Sequence, residues 1–530
     1  MNLDEWKESG LQLIKALRVR GEEDAFRRLL SDLYPDTAHF IFELLQNAED
    51  TKSTTVRFTL NEHCLEFIHN GERLFSKTDV IAITSFGNST KRDDPTSIGK
   101  FGVGFKAVFA YTDTPEIHSG DFHFCIHDLV VPETDGVNLF SMSERETHFR
   151  FPFNNPKKLP AFAVKEIETG LRSLSDNTLL FLSHIRKVDY KLPDGSRGSL
   201  QRINHNSGRI EIRALHPGGD ETVSHWLHFQ KAVDVTDEDG KTKTCNVAIA
   251  YSLVEEVNKK TEEKTWKIVP LSHGQVSIYF PAEKEPSNLR FHLHAPFAST
   301  VARDSVRECK ANHQLRDRIA ELVVESLSAI RDQGMLSMNF LALLPNPKDD
   351  LSAFYQPIRK AIVDAFTNKP LTPTKSGDYA PSRALYRGPS KISDVIGDKD
   401  LSKITGYKIP LWVANAPQRN QREDNFLDSL KINEWGFEQL SDIFEPTEKE
   451  KTEKWLVRKD DKWMMRFYAL LNDDSNYYFT AEDFPLVRVD SEEGVKHVVS
   501  NQAYFAPLHG IVSAHGVHIV KRAVYTRDNT

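Results

Sequence analysis

The sequence predicts an α+β fold, a sheet covered on one face by helices, and three observations carry that prediction. The first is a helical period over residues 40–50, where Ile41, Leu44, Leu45 and Ala48 recur at i, i+3, i+4 and i+7 to make one buried face. The second is strand-like alternation on either side of a turn, at Val56, Phe58 and Leu60 and again from Leu65 to Ile68. The third is a glycine-rich run, Ser97-Ile98-Gly99-Lys100-Phe101-Gly102-Val103-Gly104-Phe105-Lys106, which leads into a helical pattern at Phe105, Val108, Phe109 and Tyr111. Alternating strands follow it at Phe122, Phe124 and Ile126 and at Phe149, Phe151 and Phe153.

The remaining elements fall into place around these. Leu11, Ile14 and Leu17, then Phe26, Leu29, Leu30 and Leu33, predict helices over residues 1–34. Tyr34-Pro35-Asp36-Thr37 breaks that pattern and offers an N-cap to the helix beginning near Phe40. A short helix is expected from Lys77 to Ile83. Residues 84–98, rich in Gly, Ser, Asn, Pro and charge, have the composition of a lid-like loop. The Pro-rich stretch 152–160 sets a first boundary, so residues 1–157 read as one domain. In 158–345 a helix is expected around 163–174, strands at Leu179–Leu182, Arg209–Leu215, Cys245–Tyr251 and Gln275–Phe280, and a closing helix from Asn312 to Arg331. Residues 346–530 read as an α+β region: a helix from Leu351 to Phe366, a Pro/Gly-rich run, charged helices over 422–444 and a last set of strands.

Composition narrows the class. A chain of 530 residues has room for about three to four domains. An apolar share of 39% with 27% charged residues describes a globular protein with cores. The net charge of −8 gives no overall attraction to nucleic acid and tilts the expectation toward protein partners. Cys64, Cys125, Cys245 and Cys309 are far apart and form no CxxC pair, which argues against a disulfide framework and fits a reducing cytoplasm. The start lacks a basic segment followed by an apolar run, and no stretch approaches the roughly 18 apolar residues of a membrane span. The ending carries no stop pattern and reads as part of something longer.

The chemistry concentrates on the helix at 40–50. Opposite its apolar stripe Glu43 and Asn47 lie one turn apart and Asp50 another turn on, a short polar stripe that the glycine-rich run lifts above an ordinary solvated helix back. A carboxylate and a carboxamide on one helix, joined to a glycine-rich turn, suit a magnesium-bound triphosphate. Glycines allow close backbone approach, and a helix start beside Gly104 aims free N–H groups at anions. Asn47 offers Mg²⁺ a hard oxygen, and Glu43 on the same stripe is placed to deprotonate an attacking water. Lys91 in the lid, with Lys100 and Lys106 beside the glycines, either meets phosphate or is solvated. His123, Cys125 and His127 share a strand face without a second ligand group at zinc spacing, so they read as structural.

Glu43-Leu44-Leu45-Gln46-Asn47-Ala48-Glu49-Asp50 resembles the N-box of the gyrase–heat-shock-chaperone–histidine-kinase–MutL (GHKL) ATPases, and Gly99 to Phe105 is similar to that family's glycine box. The longer run from Ser85 to Phe109, and Glu146 to Pro152, resemble the sacsin-type branch. The similarity covers residues 30–155 and extends more faintly over 175–190, 290–325 and 340–440. It implies a Bergerat-type α/β sandwich over 1–157, a transducer-like middle domain over 158–345 and a partner or regulatory region over 346–530. It also implies ATP and Mg²⁺ as cofactors, with Glu43 as general base, Asn47 as metal ligand and Thr147 supporting the base edge. Where the family has an adenine-reading D-x-G, this chain has His69-Asn70-Gly71. Histidine in one tautomer can accept from the adenine amino group, and so can the Asn70 side chain. Within Ser299–Arg307, Arg303 is the expected basic residue directed at the γ-phosphate, acting as an arginine finger does.

The resemblance therefore implies an ATP-driven conformational switch that couples nucleotide state to a protein client or partner subunit, with nucleotide-dependent dimerisation and a bacterial defence setting both within the family's range. Two alternatives stand beside it: a nucleotide-sensing scaffold without turnover, and a DNA- or RNA-handling ATPase of the MutL- or MORC-like kind. Fold alone does not choose among them.

Overall fold

The α+β class is borne out in the computed structural model, which describes residues 3–21, 39–85, 104–134, 137, 145–236, 240–257, 262, 264–299, 304–408, 411–416, 418–472, 484–491, 494–506 and 517–525. The chain forms two compact units, one of residues 1–329 with 343–345 and 349–361, the other of 330–342, 346–348 and 362–530.

Among the described residues the first unit is built on a 15-stranded sheet. Helix α1 (Leu3–Arg20) lies on an edge strand, with Gly10 allowing the close approach: a Cβ there would sit 3.2 Å from the Val131 Cα. Helix α2 (His39–Asp50) is the one expected from the 3.6-residue period. It ends in a Schellman-type turn: Lys52 N–H donates to Glu49 O at 2.9 Å and Ser53 N–H to Ala48 O at 3.0 Å, while Lys52 takes a left-handed φ of 58°. Strands β1 (Thr55–Leu60) and β2 (Cys64–His69) form the expected hairpin, and helix α3 (Lys77–Thr84) follows with a capping box from Ser76 and Asp79. The segment after the glycine run is a 3-10 helix, Gly104–Ala110, tighter than the α-helix expected there. Strands β3 (Glu116–Ser119), β4 (Phe122–His127), β5 (Val131–Glu133) and β6 (Thr147–Pro152) extend the sheet in the order β1-β2-β6-β3-β4-β5.

On its other side β1 pairs in parallel with β7 (Lys187–Lys191), and β8 (Arg197–Asn204), β9 (Arg209–Leu215), β10 (Glu221–Thr236) and β11 (Thr242–Val257) continue from there. The position expected for the first boundary, near 157, therefore falls inside one uninterrupted sheet. The apolar core is likewise continuous, running from Leu44, Phe58 and Phe149 to Ile167, Leu179 and Leu200. Helix α4 (Pro160–Arg172) packs on α2 and β1. The strand expected at Leu179–Leu182 is instead a short helix, α5 (Asn177–Leu180), because the Asp176 side chain caps its first N–H and its leucines point into the core. A short apolar run does not distinguish these outcomes by itself. Strands β12 (Lys264–Val269), β13 (Gln275–Ile278), β14 (Phe280–Pro286) and β15 (His292–His294) complete the sheet, and α6 (Lys310–Asp332) packs against it through a hydrogen bond of 2.8 Å between the Tyr251 and Ser326 hydroxyls.

The second unit has a tryptophan-rich core in which Trp412, Trp435, Trp455 and Trp463 are buried. The Nε1–H groups of Trp412 and Trp463 donate to Ile396 O at 2.6 Å and Val395 O at 2.9 Å, as buried indoles require. Its helices include Arg422–Ser429 and Phe437–Asp442, the expected charged pair, and short strands such as Val487–Val489 and Lys496–Val498 follow them.

Candidate functional site

The polar stripe of α2 is not a plain solvated back. Glu43 is 3% exposed and Gln46 is fully buried, whereas Asn47 and Asp50 are half-buried. The helix is covered on several sides: α2 packs on the 3-10 helix and on α4, the Phe40 ring lies tilted 5.0 Å from that of Tyr111, and the Phe42 ring lies 4.9 Å from the Phe280 ring of β14. Glu43 and Asn47 thus occupy the helix that touches the element opening at Gly104. Lys91, Gly99, Lys100, Phe101, Gly102, Val103 and Arg303 lie outside the described residues, as does nearly all of the lid expected over 84–98. Phe105 is a packing residue, its ring 5.9 Å from that of Phe149 and 6.2 Å from that of Phe151. Lys106 is not solvated as a charged loop residue would be. Its Nζ is buried, donates to Ile83 O at 2.6 Å and to Leu129 O, and burial lowers its pKa to about 7.

The C-terminal end of α2 leads into a buried polar cluster. The Thr51 hydroxyl donates to Ala48 O at 2.8 Å, and Ser53 Oγ lies 2.9 Å from His69 Nδ1. Gly71 N–H also donates to His69 Nδ1, at 3.3 Å. Position 71 must be glycine, since a Cβ there would collide with the Thr51 side chain, 2.7 Å from its Cβ. His69 is 2% exposed, stacks on Phe149 at 6.1 Å, and burial lowers its pKa to about 4. Thr147 stands directly across from His69 in the β2–β6 register, and its Oγ1 is 2.6 Å from Ser119 Oγ, which accepts the Phe75 N–H at 3.0 Å. The structure therefore joins two sequence-predicted residues, His69 and Thr147, in one wall, and adds Ser53 and Ser119. No sequence signal marks these two serines, which are single hydroxyls at a turn and a strand end.

Asn70 has a different task from the one expected. Its Oδ1 accepts the N–H groups of Thr54 at 3.0 Å and Thr55 at 2.8 Å, and its Nδ2 donates to Thr54 Oγ1 at 2.8 Å. That amide straps β2 to the start of β1. The other residue that the sequence did not single out is Glu49, 5% exposed. Its Oε1 accepts from Ser183 N–H at 2.7 Å, His184 N–H at 2.8 Å and His184 Nδ1 at 3.0 Å, and its Oε2 from Ile185 N–H at 2.9 Å. This carboxylate fastens α2 to the segment entering β7.

The donor set suits a magnesium nucleotide. The half-buried Asn47 carboxamide makes no hydrogen bond among the described residues and leaves a hard oxygen for a cation that keeps most of its waters. Nε2 of His69 is likewise without a hydrogen bond among the described residues. Among the described residues no cluster of His, Cys, Asp or Glu is arranged to hold a metal ion. In the histidine-rich strand, His123 Nδ1 lies 3.1 Å from His118 Nδ1 and Cys125 Sγ lies 3.4 Å from His127 Nε2. Among the described residues the four cysteines form no disulfide, and no helix is long and apolar enough to cross a membrane.

Comparison with known proteins agrees with the class that the motifs suggest. Residues 24–133 match the Sacsin domain family. Two curated proteins are similar over longer stretches: Protein NO VEIN of Arabidopsis thaliana, 28% identical over 329 residues, and Sacsin of Homo sapiens, 23% identical over 357 residues. The alignments cover 57% and 51% of this chain but 12% and 8% of those proteins, so the chain spans a small part of their length. The resemblance to sacsin-type proteins is thus borne out. Among solved structures, the N-terminal domain of a DNA repair protein is 10% identical, with 59% of this chain and 99% of that chain covered and a TM-score of 0.35. The B-subunit of DNA gyrase from Myxococcus xanthus is 12% identical, with 59% and 98% covered and a TM-score of 0.35.

Proposed function

We propose that the region around α2 binds a magnesium nucleoside triphosphate, ATP in the first instance. Binding and hydrolysis then drive a conformational change passed to a protein client or partner subunit in the cytoplasm. One observation carries this reading above the others. Glu43 and Asn47 lie a turn apart on a helix packed against the element that begins at Gly104, and the same helix runs into the polar wall of His69 and Thr147.

Asn47 would hold Mg²⁺, with Asp50 one turn further along the stripe. The ion, when bound, neutralises charge on the phosphate oxygens. The glycine run 99–104, with Lys100 between its glycines and Lys91 in the lid before it, would offer bare backbone N–H groups to the same oxygens. Glu43 takes the proton of the attacking water, and its burial keeps competing bulk water away from the carboxylate. His69 and Thr147 meet the base, while Asn70 and Gly71 hold His69 in position. Arg303 would bring a further cation to the γ-phosphate and make turnover depend on residues 158–345. Residues 346–530 would carry the change to the partner.

Calorimetry with Mg-ATP, paired with phosphate release by the wild type and Glu43→Ala, tests this. The expected result is a heat of binding in both proteins and release in the wild type alone. No heat with either protein would end the nucleotide reading, and release that survives in the variant would remove Glu43 as the base. Binding without release by the wild type would leave the nucleotide-sensing scaffold.

A further inference from the structure

The base wall carries a donor where an acceptor is expected. His69 Nδ1 receives the Gly71 N–H at 3.3 Å and lies 2.9 Å from Ser53 Oγ. A backbone N–H can only donate, so Nδ1 must present its lone pair, and the single proton of a neutral imidazole then sits on Nε2. The Ser53 hydroxyl accordingly donates to Nδ1 as well. Protonating the ring would set Nδ1–H against the Gly71 N–H. Burial opposes the imidazolium too, with a pKa lowered to about 4. The arrangement is rigid, because Gly71 is wedged against Thr51 and the imidazole is stacked on Phe149. Nε2–H, which has no hydrogen-bond partner among the described residues, is what the ring can offer to a ligand.

Beside it, Thr147 is adaptable. Its hydroxyl and that of Ser119, 2.6 Å apart, can each be the donor. When Thr147 donates to Ser119 it keeps a lone pair for an incoming N–H. When Ser119 donates, the Thr147 proton is free to point at a ligand acceptor.

We propose that this wall does not select the 6-amino group of adenine and admits 6-oxopurine nucleoside triphosphates, those of hypoxanthine and guanine, alongside ATP. The inference rests on the nucleotide reading above. His69 Nε2–H can donate to O6 of a 6-oxopurine while Thr147 accepts from its N1–H. With the base turned over, so that N1 rather than position 6 faces the ring, it can donate to N1 of adenine while Thr147 accepts from the amino group. A carboxylate at position 69, an acceptor only, would favour the amino group and repel O6.

ITP and ATP differ at this edge and nowhere else, so their dissociation constants for the wild type, measured with Mg²⁺ by calorimetry, carry the test. The expected values lie within about threefold of each other, and His69→Asp shifts the ratio toward ATP by about tenfold or more, the scale of one net hydrogen bond. A wild type that binds ATP tenfold or more tightly than ITP overturns this inference and leaves the nucleotide reading standing. If neither nucleotide binds, the underlying reading fails and takes this one with it. Because a buried carboxylate can disturb β2, nitrogen NMR of the wild-type imidazoles supplies a second readout. A proton on Nε2 of His69 is expected, and a proton on Nδ1 overturns the proposal.

Discussion

Two carboxylates on α2, Glu43 and Glu49, are almost equally buried at 3% and 5% exposure, yet they belong to different arguments. Glu49 faces three backbone N–H groups and the His184 ring, all between 2.7 and 3.0 Å, and ties the helix to the entry of β7. Glu43 lies one turn from Asn47, on the stripe proposed to meet the water and the metal. Burial of an acid therefore identifies neither a catalyst nor a strut. At Glu49 the partners decide: a carboxylate held by convergent backbone donors is structural even when it sits in the middle of a catalytic-looking motif.

The sharpest way to break this contrast is Glu43→Ala. Phosphate release should fall on the order of 10²–10⁴-fold, the usual contribution of general-base catalysis, while the thermal midpoint changes by a few degrees at most. A large loss of stability would make Glu43 a strut like its neighbour. Glu49→Ala should do the reverse. Urea denaturation should register a loss of about 1–3 kcal/mol, because the backbone donors of residues 183–185 lose their charged acceptor. A change below about 1 kcal/mol would mean that the clasp is dispensable.

Acid sharpens the comparison at the far end of α2. Burial lowers His69, His292 and His294 to about 4 and His228 to about 3. Folded pKa values below the unfolded value mean that the unfolded chain binds more protons between about pH 6.5 and 4, so stability is whole above that window and is lost as pH falls through it. The urea midpoint at pH 5 should accordingly lie well below that at pH 7. His69→Gln should recover on the order of 1–2 kcal/mol of that difference, and an unchanged slope would place the ring in contact with solvent. The smallest effect belongs to the turn between Glu49 and the cluster. Lys52→Gly should raise stability by up to about 1 kcal/mol in the same assay, since Lys52 holds a left-handed φ of 58° that glycine adopts without strain.

Local pattern was enough for α2 and for the β1–β2 hairpin, because their faces follow periods of 3.6 and 2 residues. The Glu43–Asn47 spacing was legible for the same reason. What escaped was non-local. Glu49 reads as one more acid on a charged helix until residues 183–185 are folded against it. Asn70 reads as a ligand until Thr54 and Thr55 claim its amide. The short α5 helix hid in an apolar run, and much of the 16-residue strand β10 alternates too loosely to be marked. Lys106 carries no sequence sign of burial, since only the carbonyls of Ile83 and Leu129 make it tolerable inside.

The parallel register of Thr55–Thr59 against Lys187–Lys191 has a practical corollary. A fragment ending at 157 would leave β1 with a bare edge of unsatisfied amides and carbonyls, an invitation to self-association. Anyone wishing to handle the α2 region by itself would do better to cut beyond the sheet than at the proline-rich stretch.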